Sequence, residues 1–188
     1  MSSTPVLQGE LVQLTAINVA EDVPLFVEWS QDTEYWRLEA ADPEIPRRLS
    51  RIEEDFNRSE ISGREIDFAI RTLIDPITIG YADLEMTNQA NRDCYLGIGI
   101  GRREYWNRGY GTDVMRVLLR YAFEALNLHR VSLNVFEYNE RAITCYRKAG
   151  FIEEGRQREF LRRDNQFWDL IYMGILRSEW EKRVSDHG

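Results

Sequence analysis

Two periods of hydrophobic and polar alternation run along the 188-residue chain. Side chains alternate over residues 66–72 and 131–135, which predicts strands, because successive residues of an extended chain face opposite sides, and 11–14 and 78–86 read as two more. The run 94–100, Cys-Tyr-Leu-Gly-Ile-Gly-Ile, predicts a further strand. A different spacing governs Val114, Val117, Leu118, Tyr121, Ala122, Ala125 and Leu126, which fall on one stripe of a helix. A helix over about 20–30 carries Val23, Phe26, Val27 and Ser30 on one side, and a second is predicted over 46–58. Asn139 is placed as the N-cap of a helix through 149, with Gly150 as its stop. Asp164-Asn165 marks a hairpin between 156–162 and 167–176. Residues 31–46 and 87–91 read as connections, and 180–188 as a charged, frayed tail. The sum is a single α/β (α+β) domain over 1–188, a mixed sheet flanked by about four helices.

Composition narrows the class. With 43% hydrophobic residues the chain can bury the core of one domain. No apolar run approaches the ~18 residues of a membrane span, and residues 1–5 lack a basic start, so a soluble, cytoplasmic protein without membrane partners is expected. Cys94 and Cys145 lie far apart and only two histidines are present, which argues for buried thiols and against a metal site or disulfide framework. The net charge of −8 disfavours nucleic acid as a partner. Its distribution says more: residues 1–100 hold 8 Arg against 19 Asp or Glu, and residues 101–188 hold 16 Lys or Arg against 13. Such a division suits an anionic cofactor on one side and a cationic substrate on the other, although solvated surface charge gives the same count.

The predicted strand 94–100 leads into Tyr105-Trp106-Asn107-Arg108-Gly109-Tyr110-Gly111-Thr112-Asp113 and then into the long helix. Gly109 and Gly111 permit backbone geometries that let successive N–H groups converge on one anion, and the helix N-terminus adds unpaired donors. A phosphate there needs neither metal nor lysine. A tight strand-to-helix turn would use the same glycines. The Gly-Lys-Ser/Thr of a P-loop and the Gly-x-Gly-x-x-Gly of a dinucleotide fold are both missing at the relevant places.

Taken with Asn139-Glu140-Arg141-Ala142-Ile143-Thr144-Cys145-Tyr146-Arg147-Lys148-Ala149-Gly150-Phe151, the glycine loop resembles the GNAT superfamily of acetyl-coenzyme A-dependent N-acetyltransferases. Within it the branch of ribosomal-protein N-terminal and spermidine acetyltransferases is most similar. One departure is Trp106, which stands where the superfamily loop usually begins with Gln or Arg. The resemblance implies a mostly antiparallel GNAT-like sheet with two splayed central parallel strands. It also implies acetyl-CoA as co-substrate, an acceptor-side half over 1–92 and a coenzyme A-binding half over 93–177. Backbone of Arg108, Gly109, Tyr110, Gly111 and Thr112 would hold the pyrophosphate, Ile98 and Ile100 would offer strand backbone to the pantetheine, and Asn139 would join the cofactor site. Arg103 or Arg108 would meet the 3′-phosphate. A homodimer is in keeping with this branch.

The implied chemistry is direct attack of a neutral amine on the thioester, without an acyl-enzyme. Tyr146 is the expected general acid for the departing thiolate. Cys145 points roughly 100° away on the same helix and has no evident base, so a cysteine nucleophile is rejected. Glu85, with Asp83 on the same strand face, is the candidate base. A lysine-like amine is neutral in only about one molecule in ~2,500 at pH 7, an α-amine in about one in ~10, so a polyamine needs the base more. Trp36 and Glu39 are candidate acceptor contacts, since aromatic faces beside carboxylates suit an ammonium group. Small amines, aminoglycoside-like amines and protein N-termini remain open as acceptors. A noncatalytic acyl-CoA-binding module and a kinase-like nucleotide binder are the alternatives.

Overall fold

The computed structural model describes residues 7–42, 50, 52, 54, 56, 61, 63–88 and 90–187. Strands β1 (Val12–Thr15), β2 (Glu65–Thr72), β3 (Thr78–Asn88), β4 (Asp93–Ile100), β5 (Arg130–Phe136), β6 (Ile152–Arg163) and β7 (Gln166–Leu176) form one sheet in the order β1-β2-β3-β4-β5-β7-β6. Every neighbouring pair is antiparallel except β4 and β5. Those two pair only at Asp93/Arg130, Cys94/Val131 and Tyr95/Ser132, and beyond Tyr95 they diverge. The expected splay is present.

Helices α1 (Val19–Ser30) and α2 (Thr33–Glu39) precede β2, α3 (Tyr110–Arg120) joins β4 to β5, α4 (Glu140–Ala149) joins β5 to β6, and α5 (Arg177–His187) ends the chain. Helix α3 continues as a π turn over Tyr121–Ala125. Its stripe is buried as the spacing predicts, with Val114, Val117, Leu118 and Ala122 packed against Leu84, Leu96, Leu133 and Ile143. A second cluster of Val23, Phe26, Trp29 and Tyr35 gathers around Tyr81. Tyr81 alternates with Ala82 of the main core, so α1 and α2 cover the opposite sheet face from α3 and α4.

Turn and cap chemistry fixes the junctions. Asn139 Oδ1 accepts the Ala142 amide at 3.1 Å, and Gly150 ends α4 at φ 110°, a left-handed conformation that a glycine adopts without strain. Asp164 and Asn165 both have positive φ in the two-residue β6–β7 hairpin.

The fold departs from the expected elements in two places. Residues 33–39 are helical rather than connection, because Asp32 caps them by accepting the Glu34 and Tyr35 amides at 2.9 and 3.0 Å. The tail is an ordered helix, docked by Trp180 against Phe123 with ring centroids 5.3 Å apart. The helix expected over 46–58 lies mostly outside the described residues. Ser50, Ile52, Glu54 and Phe56, which are described, are helical.

One buried carboxylate ties the first strand to the glycine loop. Asp113, 3% exposed, accepts the backbone N–H groups of Glu10, Leu11 and Val12 at 3.2, 2.8 and 3.1 Å. Asp113→Ala leaves three donors short of an acceptor, and we expect a loss of about 2–4 kcal/mol in denaturant unfolding.

Candidate active site

Divergence of β4 and β5 opens a cleft of about 780 Å³. Gly101 donates to Ile79 of β3, so strand alternation turns the backbone N–H and C=O of Ile98 and Ile100 to the other, open side. Trp106 takes up one of these groups: its Nε1 donates to the Ile100 carbonyl at 2.7 Å. Beyond the strand, Gly109 caps α3 at φ 88° in the left-handed region, with Asn107 also left-handed at φ 58°. The first intrahelical donor is Asp113, which bonds Gly109 O, so the amides of Tyr110, Gly111 and Thr112 precede the hydrogen-bonded ladder. A methyl on Gly111 would meet only Cys145 Sγ at 3.5 Å, ordinary contact, so the glycine leaves open space at the helix start. This open, donor-lined turn fits a phosphate.

Asn139, Tyr146 and Cys145 of the second motif line the same cleft. Tyr146 is 8% exposed, its ring tilted against that of Phe151 with centroids 6.1 Å apart. Burial pushes its hydroxyl pKa far above the usual value, with the charges of Glu39 and Cys145 adding and Arg141 opposing. Cys145 Sγ lies 3.6 Å from Thr112 Oγ1, and burial raises its thiol too, which disfavours a thiolate nucleophile.

Toward β3 the sheet register sets Tyr81 opposite Gly99, Asp83 opposite Gly97 and Glu85 opposite Tyr95. The two glycines make room for their partners. A Cβ on Gly97 would stand 2.3 Å from Asp83 Oδ1, and one on Gly99 would stand 2.3 Å from the Tyr35 hydroxyl. Helix α2 lays Tyr35 and Glu39, one turn apart, over this floor, and Tyr81 donates to Glu39 Oε1 at 2.7 Å. Among the described residues the buried Tyr35 hydroxyl has no hydrogen-bond partner. The end of α2 is clamped from the hairpin side: Arg163 donates to the carbonyls of Arg37 and Ala40, and Tyr138 donates to Arg37 O at 2.6 Å.

Burial raises the Glu39 carboxyl to about 7, against the hydrogen bond from Tyr81. Asp83 is raised to about 8 by burial first and then by Glu65, Asp67, Glu39 and Glu85. Glu85 lines the cleft at its exposed outer end.

The candidates named from sequence therefore divide. Ile98, Ile100, Gly109, Gly111, Thr112, Asn139, Tyr146, Glu39 and Glu85 line one cleft. Arg103 is bound by Asp32, its Nε 2.7 Å from Oδ2, and Arg108 donates to the Glu104 carbonyl at 3.1 Å. Trp36 is buried, with its indole N–H on the Asp42 carbonyl; its neighbour Tyr35 faces the cleft instead, because α2 turns Tyr35 and Glu39 inward together. Tyr81 and Arg141 were missed. For Tyr81 the available signal was its alternation with Asp83 and Glu85 along one strand face.

A family model described as the acetyltransferase (GNAT) domain matches residues 12–152. The chain belongs to the GNAT acetyltransferase family. YdaF of Bacillus subtilis (strain 168), named as a candidate ribosomal N-acetyltransferase, is 35% identical over 109 residues, covering 58% of this chain and 59% of its own length. The spermidine N(1)-acetyltransferase of Vibrio cholerae is 29% identical over 132 residues, 70% of this chain and 75% of its own. The crystal structure of spermidine N-acetyltransferase from Vibrio cholerae, in complex with CoA and spermine, superposes with a TM-score of 0.79 at 24% identity, over 90% of this chain and 98% of that one. This GNAT chain thus spans about three-fifths of the length of the first relative and three-quarters of the second. Among its described residues no group of His, Cys, Asp and Glu could hold a metal, and no helix is long and apolar enough to cross a membrane.

The two raised carboxyls set a stability trend. Both bind their protons more tightly in the folded chain than at the ordinary value near 4, so the folded state loses advantage as pH climbs from about 4 through 7–8. Glu39→Gln with Asp83→Asn removes that loss. The double variant should melt several degrees above the parent at pH 8.5 and close to it at pH 4.5, by calorimetry at both values.

Proposed function

We propose that this GNAT protein transfers an acetyl group from acetyl-CoA to a primary amine by direct attack. One observation carries the reading: a splayed-strand cleft with a donor-rich glycine turn at one end holds the buried Tyr146 and the half-buried carboxyls of Glu39 and Asp83. Acetyl-CoA, when bound, supplies an acyl group activated as a thioester. Backbone groups of Ile98 and Ile100 suit the amides of its pantetheine arm, as an added strand would pair. The amides of Tyr110, Gly111 and Thr112 suit its pyrophosphate.

Base work falls to Glu39 and Asp83 ahead of Glu85. A carboxylate raised to about 7 or 8 competes for an amine's proton far better than an ordinary one, and both groups sit inside the cleft rather than at its rim. Glu85 assists from the exposed end through water. Tyr146 keeps its proton across the working pH range because burial disfavours the phenolate, so it always has a proton to give to a thiolate.

Carboxyls with the rings of Tyr35 and Tyr81 around them favour an acceptor that arrives as a cation. Polyamines, aminoglycoside-like amines and protein N-termini meet that description. Relatives named as spermidine and ribosomal-protein alanine acetyltransferases lie in the same range of similarity.

Thiol release from acetyl-CoA, measured across a panel of polyamines, amino sugars and peptides, tests the reading. Turnover should rise from pH 6 to 8.5 with an apparent midpoint near 7–8, as the raised carboxyls ionise, and Glu39→Gln with Asp83→Asn should flatten that limb. Tyr146→Phe should lower kcat roughly 10²–10⁴-fold with KM little changed. Coenzyme A binding without thiol release for any amine would instead mark a noncatalytic acyl-CoA-binding module.

A further inference from the structure

The cleft wall made by the second motif carries a cation that none of these roles uses. Arg141, in the first turn of α4, lines the cleft and is half-buried. Its Cζ stands 3.6 Å from the centroid of the Trp106 ring. Among the described residues no carboxylate forms an ion pair with it; burial pulls its pKa down, against the charges of Glu34 and then of Tyr146 and Cys145. Burying a guanidinium away from a counterion costs free energy, and the cost is recovered where an anion arrives.

The platform beneath it is fixed from two sides. Trp106 donates its indole N–H to Ile100 O, and a second guanidinium, Arg103, lies 5.5 Å from the same ring while held by Asp32. A guanidinium stacked by its face keeps the N–H groups of its edge free, and that edge is the fork that matches phosphate oxygens two at a time. Cleft-lining Lys148, by contrast, is solvent-exposed on a flexible stem. Arg103 and Arg108, the cations nearest the glycine loop in sequence, are engaged by Asp32 and by the Glu104 carbonyl.

We propose that Arg141 is the phosphate-binding fork of the coenzyme A site, positioned by the Trp106 indole. Residues 106 and 141 then act as a pair. The aromatic ring at the head of the loop supplies no charge of its own, and the arginine brought onto it from α4 supplies that charge to a turn otherwise furnished with neutral amides. The proposal rests on the acetyl-CoA reading and deepens it.

Calorimetric titration of the full chain with CoA, 3′-dephospho-CoA and acetyl-pantetheine, which lacks every phosphate, tests it directly. Arg141→Ala should weaken CoA binding about tenfold or more, leave acetyl-pantetheine binding unchanged and flatten the salt dependence of the CoA dissociation constant. Arg141→Lys, which keeps charge without the fork, should fall between the two. Trp106→Ala should lose part of the same CoA affinity and Trp106→Phe little of it, because the phenyl ring still offers a face. If the parent discriminates CoA from dephospho-CoA and the Arg141→Ala chain does not, the fork serves the 3′-phosphate; if both discriminate equally, it serves the pyrophosphate. An Arg141→Ala chain that melts like the parent and binds CoA as tightly overturns the proposal, as does equal weakening toward CoA and acetyl-pantetheine. A parent chain that binds neither compound overturns the acetyl-transfer reading and this assignment together.

Discussion

Everything at the site depends on two parallel strands that stop pairing. Strands β4 and β5 share only three residue pairs and then separate after Tyr95 and Ser132. A backbone that leaves its ladder must find other partners, because an unpaired buried N–H or C=O costs about as much as a lost hydrogen bond. Trp106 satisfies one of the exposed carbonyls. The others face a cleft walled by α3 and α4, the helices that follow β4 and β5 in the chain. Ligand crevices at the carboxyl ends of parallel strands arise for this same topological reason. The glycine turn, Asn139 and Tyr146 are brought to one cleft by that geometry.

The opposite wall shows how little side chain the floor can carry. Gly97 and Gly99 leave β4 bare on the face where Asp83 and Tyr35 lie, and a single methyl at either position would collide with them. The space so released is filled by polar groups in a poorly hydrated place. Burial then sets the chemistry, holding Glu39 and Asp83 near neutrality of pH and Tyr146 protonated. A scaffold pays for such groups in stability, and the extensive apolar core on the other sheet face, with α3 as its centre, supplies the margin.

Elements with strong local signals were legible in the sequence. The α3 stripe, the Asn139 and Gly150 boundaries of α4 and the Asp164-Asn165 hairpin each rest on spacing or on residues with a defined backbone preference. The glycine turn and the second motif likewise marked the cleft. What stayed hidden depends on contacts between distant segments. Helix α2 is only seven residues long and owes its order to Asp32, to the Arg163 clamp and to packing of Tyr35 beside Tyr81. The tail helix depends on Trp180 finding Phe123. Arg103 looked free for a phosphate because its partner, Asp32, is 71 residues away. Arg141 sat inside a quoted motif, yet its importance appears only when Trp106, from another motif, lies beneath it.

The split of charge between the two halves of the chain acquires a spatial meaning in the cleft. Glu39, Asp83 and Glu85 from the acidic half line one side, and Arg141 with the α3 N-terminus from the basic half lines the other. Tyr146 lies between these fields, which act on it with opposite sign: Glu39 and Asp83 raise its hydroxyl pKa and Arg141 lowers it. An anion settling on Arg141 would neutralise the lowering influence and leave the phenol still more firmly protonated, whereas an ammonium group settling among the carboxyls would act the other way. An anion on one wall and a cation on the other would thus bias that one proton in opposite directions. In a low-dielectric site such couplings are strong at short range and weakly screened by salt. The Tyr146 hydroxyl is therefore tuned by the same charges that give the cleft an acidic and a basic wall.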